Sequence, residues 1–452
     1  RQRTWGVPLP IFYCKNCGEP YVTEDSIEKI KDIVLKEGTN AWWAKTEKDL
    51  MPDNATCKKC GGQEFKKETD IMDVWFDSGS THTSVVEQRG LKFPADLYLE
   101  GNDQYRGWFQ SSLLTSVATK GVAPYKEVLC CGMVVDGQGK KMSKSLGNGV
   151  SPIDVCNKYG ADILRLWVLS SDYEMDINLS DEILKGISDV YRKIRNTVRY
   201  LLGNLYDYDP EKPVEYAKLE EIDKWALIRL NKLIRDARES YDKYDFSNCY
   251  HDINQFCVVD MSSFYLDIIK DRLYTEKADS LKRKSAQTVM YYILNSLVKI
   301  LTPMTSFTAE EIWRQMKHIK SEDVESPMLT KYPVANKEWD NDEIAEKWEK
   351  IIELKNKVAK ELELSRAEKV IGNALDALVT IKAPKDEYSF LMENKELIKD
   401  VLIVSQLELE EGKELEIKVE HAKGEKCERC WQYSTELKDG LCPRCFKIIN
   451  NQ

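Results

Sequence analysis

Eight of the chain's 13 cysteines fall in four Cys-x-x-Cys pairs, and these pairs limit the possible folds more than any other feature. Two thiols two residues apart sit on one tight turn and grip a tetrahedral metal from one side, so each site needs a second pair to close it. In a chain of 452 residues that opens without a secretory apolar segment, the pattern points to metal sites in a reducing compartment and not to a disulfide framework.

The last two pairs are Cys427-Glu428-Arg429-Cys430 and Cys442-Pro443-Arg444-Cys445, with 11 residues and the turn-forming Gly440 between them. That spacing predicts a zinc ribbon, and so small a tail has no core of its own without metal. The first two are Cys14-Lys15-Asn16-Cys17-Gly18 and Cys57-Lys58-Lys59-Cys60-Gly61, with 39 residues between them, including a helix-like stretch at 27–35. Four thiolates without histidine make a closed, structural zinc site. Plain thiols are the alternative at so long a gap.

A net charge of −10 argues against a generally basic nucleic-acid binder, so any such contact must use local patches. Apolar runs fall far short of the roughly 20 residues that span a bilayer. The chain begins at Arg1 rather than Met, as expected of a fragment or a trimmed chain.

Lys140-Lys141-Met142-Ser143-Lys144-Ser145 lies between Gly137 and Gly139 on one side and Gly147 and Gly149 on the other. An apolar run at 128–135 reads as a buried strand before it. After it, Ser151-Pro152-Ile153-Asp154 reads as a helix start, with a capping hydroxyl and proline at the first position. Such a loop suits binding and releasing a polyphosphate, the lysines acting as point charges. A solvated basic turn or a targeting patch is the competing reading.

Residues 95–99 read as a strand and Glu100-Gly101-Asn102-Asp103 as a turn. A helix from about Gln104 follows, with Tyr105, Trp108, Phe109, Leu113 and Val117 along one stripe. With the strand at 128–135 this makes a βαβ unit of two parallel strands and a right-handed crossover. Glu100 then stands at the carboxyl end of the first strand and the lysine loop at that of the second, the edge where open α/β sheets bind ligands. A carboxylate for an ammonium and lysines for phosphates suit an amino acid joined to a nucleotide. Glu100 as an exposed turn acid, and Trp75-Phe76 as core, are the plainer alternatives.

From Ser180 the pattern is helical, with stretches at 183–201, 222–242, 247–273, 283–301 and 307–317 forming a bundle. Arg229, Lys232, Arg235 and Arg238 recur every three residues, as a solvated face or a phosphate-tracking stripe. A linker at 326–340 and a charged helix at 341–365 follow. Strands at 375–381, 401–409 and 415–419 around a helix at 386–399 suggest a small α/β module.

Together these stretches resemble the class I aminoacyl-tRNA synthetases, and among them the bacterial isoleucyl branch. Lys141-Met142-Ser143-Lys144-Ser145 matches the class's KMSKS signature without a mismatch. Asp73-Val74-Trp75-Phe76-Asp77-Ser78-Gly79, Leu99-Glu100-Gly101-Asn102-Asp103-Gln104 with Gly107-Trp108-Phe109-Gln110, and Ala161-Asp162-Ile163-Leu164-Arg165-Leu166-Trp167 are similar to that branch, as is the terminal ribbon. The resemblance implies the carboxyl-terminal half of a Rossmann-type α/β catalytic domain at 1–178 and an anticodon-binding bundle at 179–325. It implies a helix with a small α/β module at 326–422 and a zinc ribbon at 423–452.

The resemblance further implies ATP with Mg2+, L-isoleucine and tRNA(Ile) as ligands of a cytoplasmic monomer. Lys144, supported by Lys141, would stabilise the phosphates as pyrophosphate leaves. Glu100 would hold the ammonium of isoleucine or its adenylate, with Asp103 and Gln104 nearby, while Trp75 and Trp108 would wall the side-chain pocket. Arg429 and Trp431 would add tRNA contact.

The sequence departs from the family in two respects: its HIGH signature is absent, His82, His251, His318 and His421 forming no such pair, and it carries no editing domain. The opening Arg3-Thr4-Trp5-Gly6-Val7-Pro8 resembles the segment that follows the family's editing domain. The expectation is therefore a carboxyl-terminal fragment that forms no adenylate alone. Valyl, leucyl or methionyl enzymes are the alternatives within the class, and a non-catalytic zinc-ribbon RNA-binding protein is the alternative outside it.

Overall fold

The computed structural model describes residues 5–143 and 145–450, so Lys144 lies outside the described residues. The chain forms two compact units, one of residues 1–134 with 174–176 and one of residues 135–173 with 177–452.

In the first unit, β1 (Phe12–Cys14) is the centre of a three-stranded sheet, with β2 (Pro20–Tyr21) and β3 (Phe65–Lys67) antiparallel on either side. The helix expected near 27–35 runs over Glu24–Glu37. It starts at a reciprocal cap in which Ser26 N donates to Thr23 Oγ1 at 3.2 Å and Thr23 N to Ser26 Oγ at 2.9 Å. Phe12, Trp42, Leu50 and Phe65 pack around Cys14 and Cys57, so this core is built on two of the expected metal ligands.

Further along, β4 (Ala95–Gly101) and β5 (Tyr125–Cys131) are parallel, joined through the helix Trp108–Lys120, with Glu100 opposite Cys130. The expected βαβ unit is present. Its second strand, however, ends at Cys131 instead of running to Val135. The cause is steric: a Cβ on Gly132 would lie 2.2 Å from the carbonyl oxygen of Met175, and Met133 N donates to Asp176 Oδ1 at 2.8 Å. Residues 174–176 occupy the path the ladder would take.

β6 (Val134–Asp136) then pairs in a separate two-stranded sheet with β7 (Ile177–Leu179). The second unit continues with the helix Pro152–Tyr159, capped as expected by Ser151, whose hydroxyl accepts from Asp154 N at 3.4 Å. Its bundle is made by Asp181–Asn204, Glu221–Asp242, Phe246–Gln255, Leu281–Leu301 and Ser306–Gln315, which bury Leu227, Leu230, Ile293, Leu297 and Trp313. The stretch expected as one helix at 247–273 widens at Phe256–Tyr265 into a π-helix, where the Thr197 hydroxyl lies 3.2 Å from the carbonyl of Cys257 and donates to it.

The expected linker at 326–340 is docked along the helix Glu221–Asp242. Asn231 donates to Asn336 O at 2.6 Å and accepts from Asn336 N at 2.9 Å. The same region consumes the basic stripe. Arg229 pairs with Asp260 at 3.0 Å, Lys232 with Asp236, Arg235 with Asp340 at 2.7 Å, and Arg238 sits over the Tyr332 ring. Arg229, Arg235 and Arg238 thus tie the helix to other elements, while Lys232 pairs only within its own helix. With Lys232, Arg235 and Arg238 exposed, this is the solvated face, its charges paired.

The helix Asp342–Ala367 joins two cores, Trp348 and Ile351 lying in the bundle and Leu354, Val358 and Leu362 in the small module. That module has β8 (Ala377–Ala383) between parallel β9 (Gln406–Glu411) and antiparallel β10 (Glu416–His421). The strand expected at 401–409 begins only at Gln406. Val401 and Leu402 finish the helix Lys395–Leu402, which ends where Ile403 turns left-handed at φ 57°. The ribbon adds β11 (Glu425–Lys426), β12 (Tyr433–Ser434) and the helix Pro443–Asn450. Among the described residues no helix is long and apolar enough to cross a membrane.

Candidate active-site groups and metal centres

Glu100 is exposed as the penultimate residue of β4. The chain does not enter an α-helix at Gln104 as expected. A 3-10 turn spans Asn102–Arg106, and the helix begins at Trp108, where Gln104 Oε1 accepts from Trp108 N at 3.0 Å. Gln104 Nε2 donates to Asp103 Oδ2 at 3.3 Å. Gln104 is thus the capping group of this helix and is tied to Asp103.

Trp108 stacks on Tyr98 with centroids 4.2 Å apart and rings 12° from parallel, and its indole N–H donates to the carbonyl of Ser78 at 3.0 Å. Ser78 belongs to the helix Val74–Gly79, begun by Asp73 accepting from Trp75 N at 2.8 Å. Trp75 is 43% exposed, and its ring would come within 3.1 Å of a Cβ placed on Gly107. The structure therefore gathers Trp75, Trp108, Gln104 and Asp103 around the turn that leaves β4. Trp75 presents aromatic surface, whereas Trp108 is half-buried against Tyr98 and uses its polar edge internally.

The lysine loop follows β6, not the strand that pairs with β4. Asp136 and Asn148 staple it. Asp136 Oδ1 accepts from the backbone N–H of Gln138 and of Lys140, each at 2.9 Å, and its Oδ2 accepts from Asn148 Nδ2 at 2.9 Å. Asn148 Oδ1 in turn accepts from Ser143 N at 2.9 Å. The Asn148 amide, then the Lys140 backbone, hold the Asp136 carboxyl below the usual carboxylate range. Lys141 is exposed, and bridges Val135 through its backbone. Sequence reasoning missed Asp136 and gave Asn148 no role. Their signal was Asp-Gly and Asn-Gly at the two ends of the loop, dipeptides whose side chains bond nearby backbone.

Both four-cysteine sets converge, the sulfurs of each lying within 4.8 Å of one another. Cys14 and Cys60 are 3.5 Å apart, Cys17 and Cys57 3.6 Å, and Cys430 and Cys442 3.7 Å. A tetrahedron with Zn–S bonds of about 2.3 Å has edges of about 3.8 Å, so these thiols have the spacing that zinc requires. Backbone N–H groups of Cys60 and Lys59 pull the Cys57 thiol down to about 7. Burial pushes the Cys427 thiol up, but the N–H groups of Cys430, Cys442 and Arg429 outweigh it and bring it to about 6. Each centre thus holds one thiol that ionises readily, a starting point for metal capture. Arg429 points a guanidinium N–H at Cys445 Sγ, 3.8 Å away, while Trp431 is 61% exposed.

Three family profiles match the chain in order. One described as tRNA synthetases class I (I, L, M and V) covers residues 1–180, an anticodon-binding domain of tRNA ligase covers 223–381, and a zinc finger found in FPG and IleRS covers 424–448. Among curated relatives, the isoleucine–tRNA ligase of Caldicellulosiruptor bescii is 55% identical over 100% of this chain and 50% of its own length. That of Caldicellulosiruptor saccharolyticus is 56% identical over 99% of this chain and 50% of its own. The isoleucine–tRNA ligase of Caldanaerobacter subterraneus subsp. tengcongensis is 52% identical over 100% and 50%. The chain spans about half the length of the curated relatives it matches. In fold it is similar to the LeuRS of the ternary LeuRS–tRNA–LeuAMS complex of Agrobacterium radiobacter K84 agnB2, with a TM-score of 0.55 and 20% identity over 85% of this chain and 43% of that one. With the KMSKS loop and the ribbon inside these matched segments, the chain belongs to the class I tRNA synthetases.

Proposed function

We propose that this chain works as part of an isoleucine–tRNA ligase, which activates L-isoleucine with ATP and Mg2+ and transfers it to tRNA(Ile) as a cytoplasmic monomer. The observation that carries this is identity above 50% with proteins of that name along the whole chain. In this reading Glu100 holds the substrate ammonium, Asp103 and Gln104 shape the turn beside it, and Trp75 and Trp108 wall the apolar pocket. Lys141 and Lys144 stabilise charge on the phosphates as pyrophosphate departs, in a loop whose backbone Asp136 and Asn148 hold in shape. The segments run as 1–178, 179–325, 326–422 and 423–452, for catalysis, anticodon binding, the helix with its module, and the ribbon.

Amino-acid-dependent ATP–pyrophosphate exchange by the full-length protein tests the reading. Isoleucine should support exchange best, with valine behind by about 10–200-fold, since one methylene is worth only about 1–3 kcal/mol. Faster exchange with valine, leucine or methionine than with isoleucine would reassign the enzyme within its class. Binding of RNA with no exchange for any of the four would favour the non-catalytic RNA-binding alternative.

A further inference from the structure

In the second unit a cavity of about 1070 Å³ opens between three parts of the chain. The bundle contributes the helix Lys270–Thr275, the small module the helix Lys395–Leu402, and the ribbon residues 429–432.

The ribbon wall is tied on two sides. Toward the module, buried Ser405 accepts from Tyr433 N at 2.7 Å. Toward the bundle, Arg444 grips Asp271 with both ends of its guanidinium, Nη2 donating to Oδ1 at 2.8 Å and Nη1 to Oδ2. Such fork-to-fork pairs are the directional kind of ion pair. The two partners differ in how they are held. Asp271 rests on a rigid base, because the next residue, Arg272, pairs with Asp223, which is fully buried in the bundle. Arg444 has no such base. It lies one residue before Cys445 and two after Cys442, and the buried cluster of the ribbon is the four cysteines, with Leu437 and Leu441 packed against them. The backbone at Arg444 is fixed only when the four thiolates converge on an ion.

Charge supports the same coupling. Four thiolates around a divalent cation leave a net −2, which attracts Arg429 at Cys445 and the neighbouring Arg444, whose own counter-charge is Asp271.

We infer that the metal of the ribbon, acting through Arg444 on Asp271, docks the ribbon on the bundle and so sets one wall of this cavity. Arg444 is a positioning residue, and metal supply decides whether the cavity is walled or open. The coupling stands whether or not the cavity takes RNA.

Hydrogen exchange read by mass spectrometry on the full chain, with metal content measured on the same samples, tests this. Cys445→Ser should lower metal content from two ions per chain to one. It should also speed amide exchange at 395–403 and 429–433 at least about tenfold, with 281–301 unchanged. Asp271→Asn and Arg444→Met leave all eight thiols in place; they should keep two ions and yet show the same acceleration. Unchanged exchange at 395–403 in Cys445→Ser, or wild-type exchange in both docking variants, overturns the inference. If Arg444→Met loses its ion, Asp271→Asn decides, because its substitution lies outside the ribbon: acceleration with two ions supports the coupling and wild-type exchange refutes it.

Discussion

Asn148 reaches back across the lysine loop to Asp136, its amide donating at 2.9 Å to a carboxylate that already gathers the N–H groups of Gln138 and Lys140. This pair holds the loop's backbone. Asn148→Ala removes both the donor to Asp136 and the acceptor for Ser143 N. In the full-length enzyme, pyrophosphate exchange should fall about 10–100-fold while the thermal midpoint barely moves, since positioning errors of an ångström cost that much in rate. An unchanged rate would mean the staple has no part in catalysis.

The same carboxylate gives a pH prediction. Asn148 first, then the Lys140 backbone, lower its pKa in the folded state below the roughly 3.9 of an unfolded aspartate. The stabilisation is therefore complete above that value and is lost as pH falls through the lowered folded one. Amide protection of Gln138 and Lys140, corrected for intrinsic rates, should stay flat from neutral pH to about pH 5 and decline only below about pH 4.

Asp223 is fully buried and accepts from Arg272, from the Tyr265 hydroxyl at 2.6 Å and from the Ser285 hydroxyl. Asp223→Ala leaves a buried guanidinium without its counter-charge. Denaturant melts should show a loss of about 3–5 kcal/mol, well beyond a surface pair. A loss under about 1 kcal/mol would show that water replaces the carboxylate.

Glu100 is exposed and its carboxylate makes no hydrogen bond or ion pair among the described residues, so Glu100→Gln separates function from folding. Melting should be unchanged. The KM for isoleucine in the full-length enzyme should rise about 10–100-fold, the worth of a charge-assisted hydrogen bond of about 1.5–3 kcal/mol. A wild-type KM would remove Glu100 from the ammonium site.

For the first knuckle, Cys57→Ser should cut zinc from two ions per chain to one and lower the stability of the core around Phe12 and Trp42, because Cys57 is packed in that core. Metal analysis with near-ultraviolet circular dichroism checks both. Retention of two ions would refute a zinc site there.

The features legible in the sequence are those fixed by nearby residues. Ser151 caps its helix by bonding three residues on, the Cys-x-x-Cys turns pair, and β4 and β5 are parallel because a helix connects them. The features that were hidden depend on distant chain. Nothing near Gly132 announces that Met175 will fill the space beside it. Arg229 and Arg235 read as free cations because their acids, Asp260 and Asp340, come from other elements. Gln104 carried the right type for a ligand contact, yet its carbonyl is engaged by Trp108 N, a use that the turn geometry alone decides.

The two metal centres are alike in donor set and opposite in access. In the knuckle, Cys14 and Cys57 face the core while Cys17 and Cys60 face solvent; in the ribbon all four thiols are buried. An incoming chelator could engage Cys17 and Cys60 one at a time, so an ion bound in the knuckle would exchange by stepwise ligand substitution. The ribbon releases its ion only after local unfolding, so its exchange clock is the opening rate of the peptide. Zinc bound in both centres would therefore exchange on two clocks, and a pulse of isotopically labelled zinc should fill the knuckle long before the ribbon.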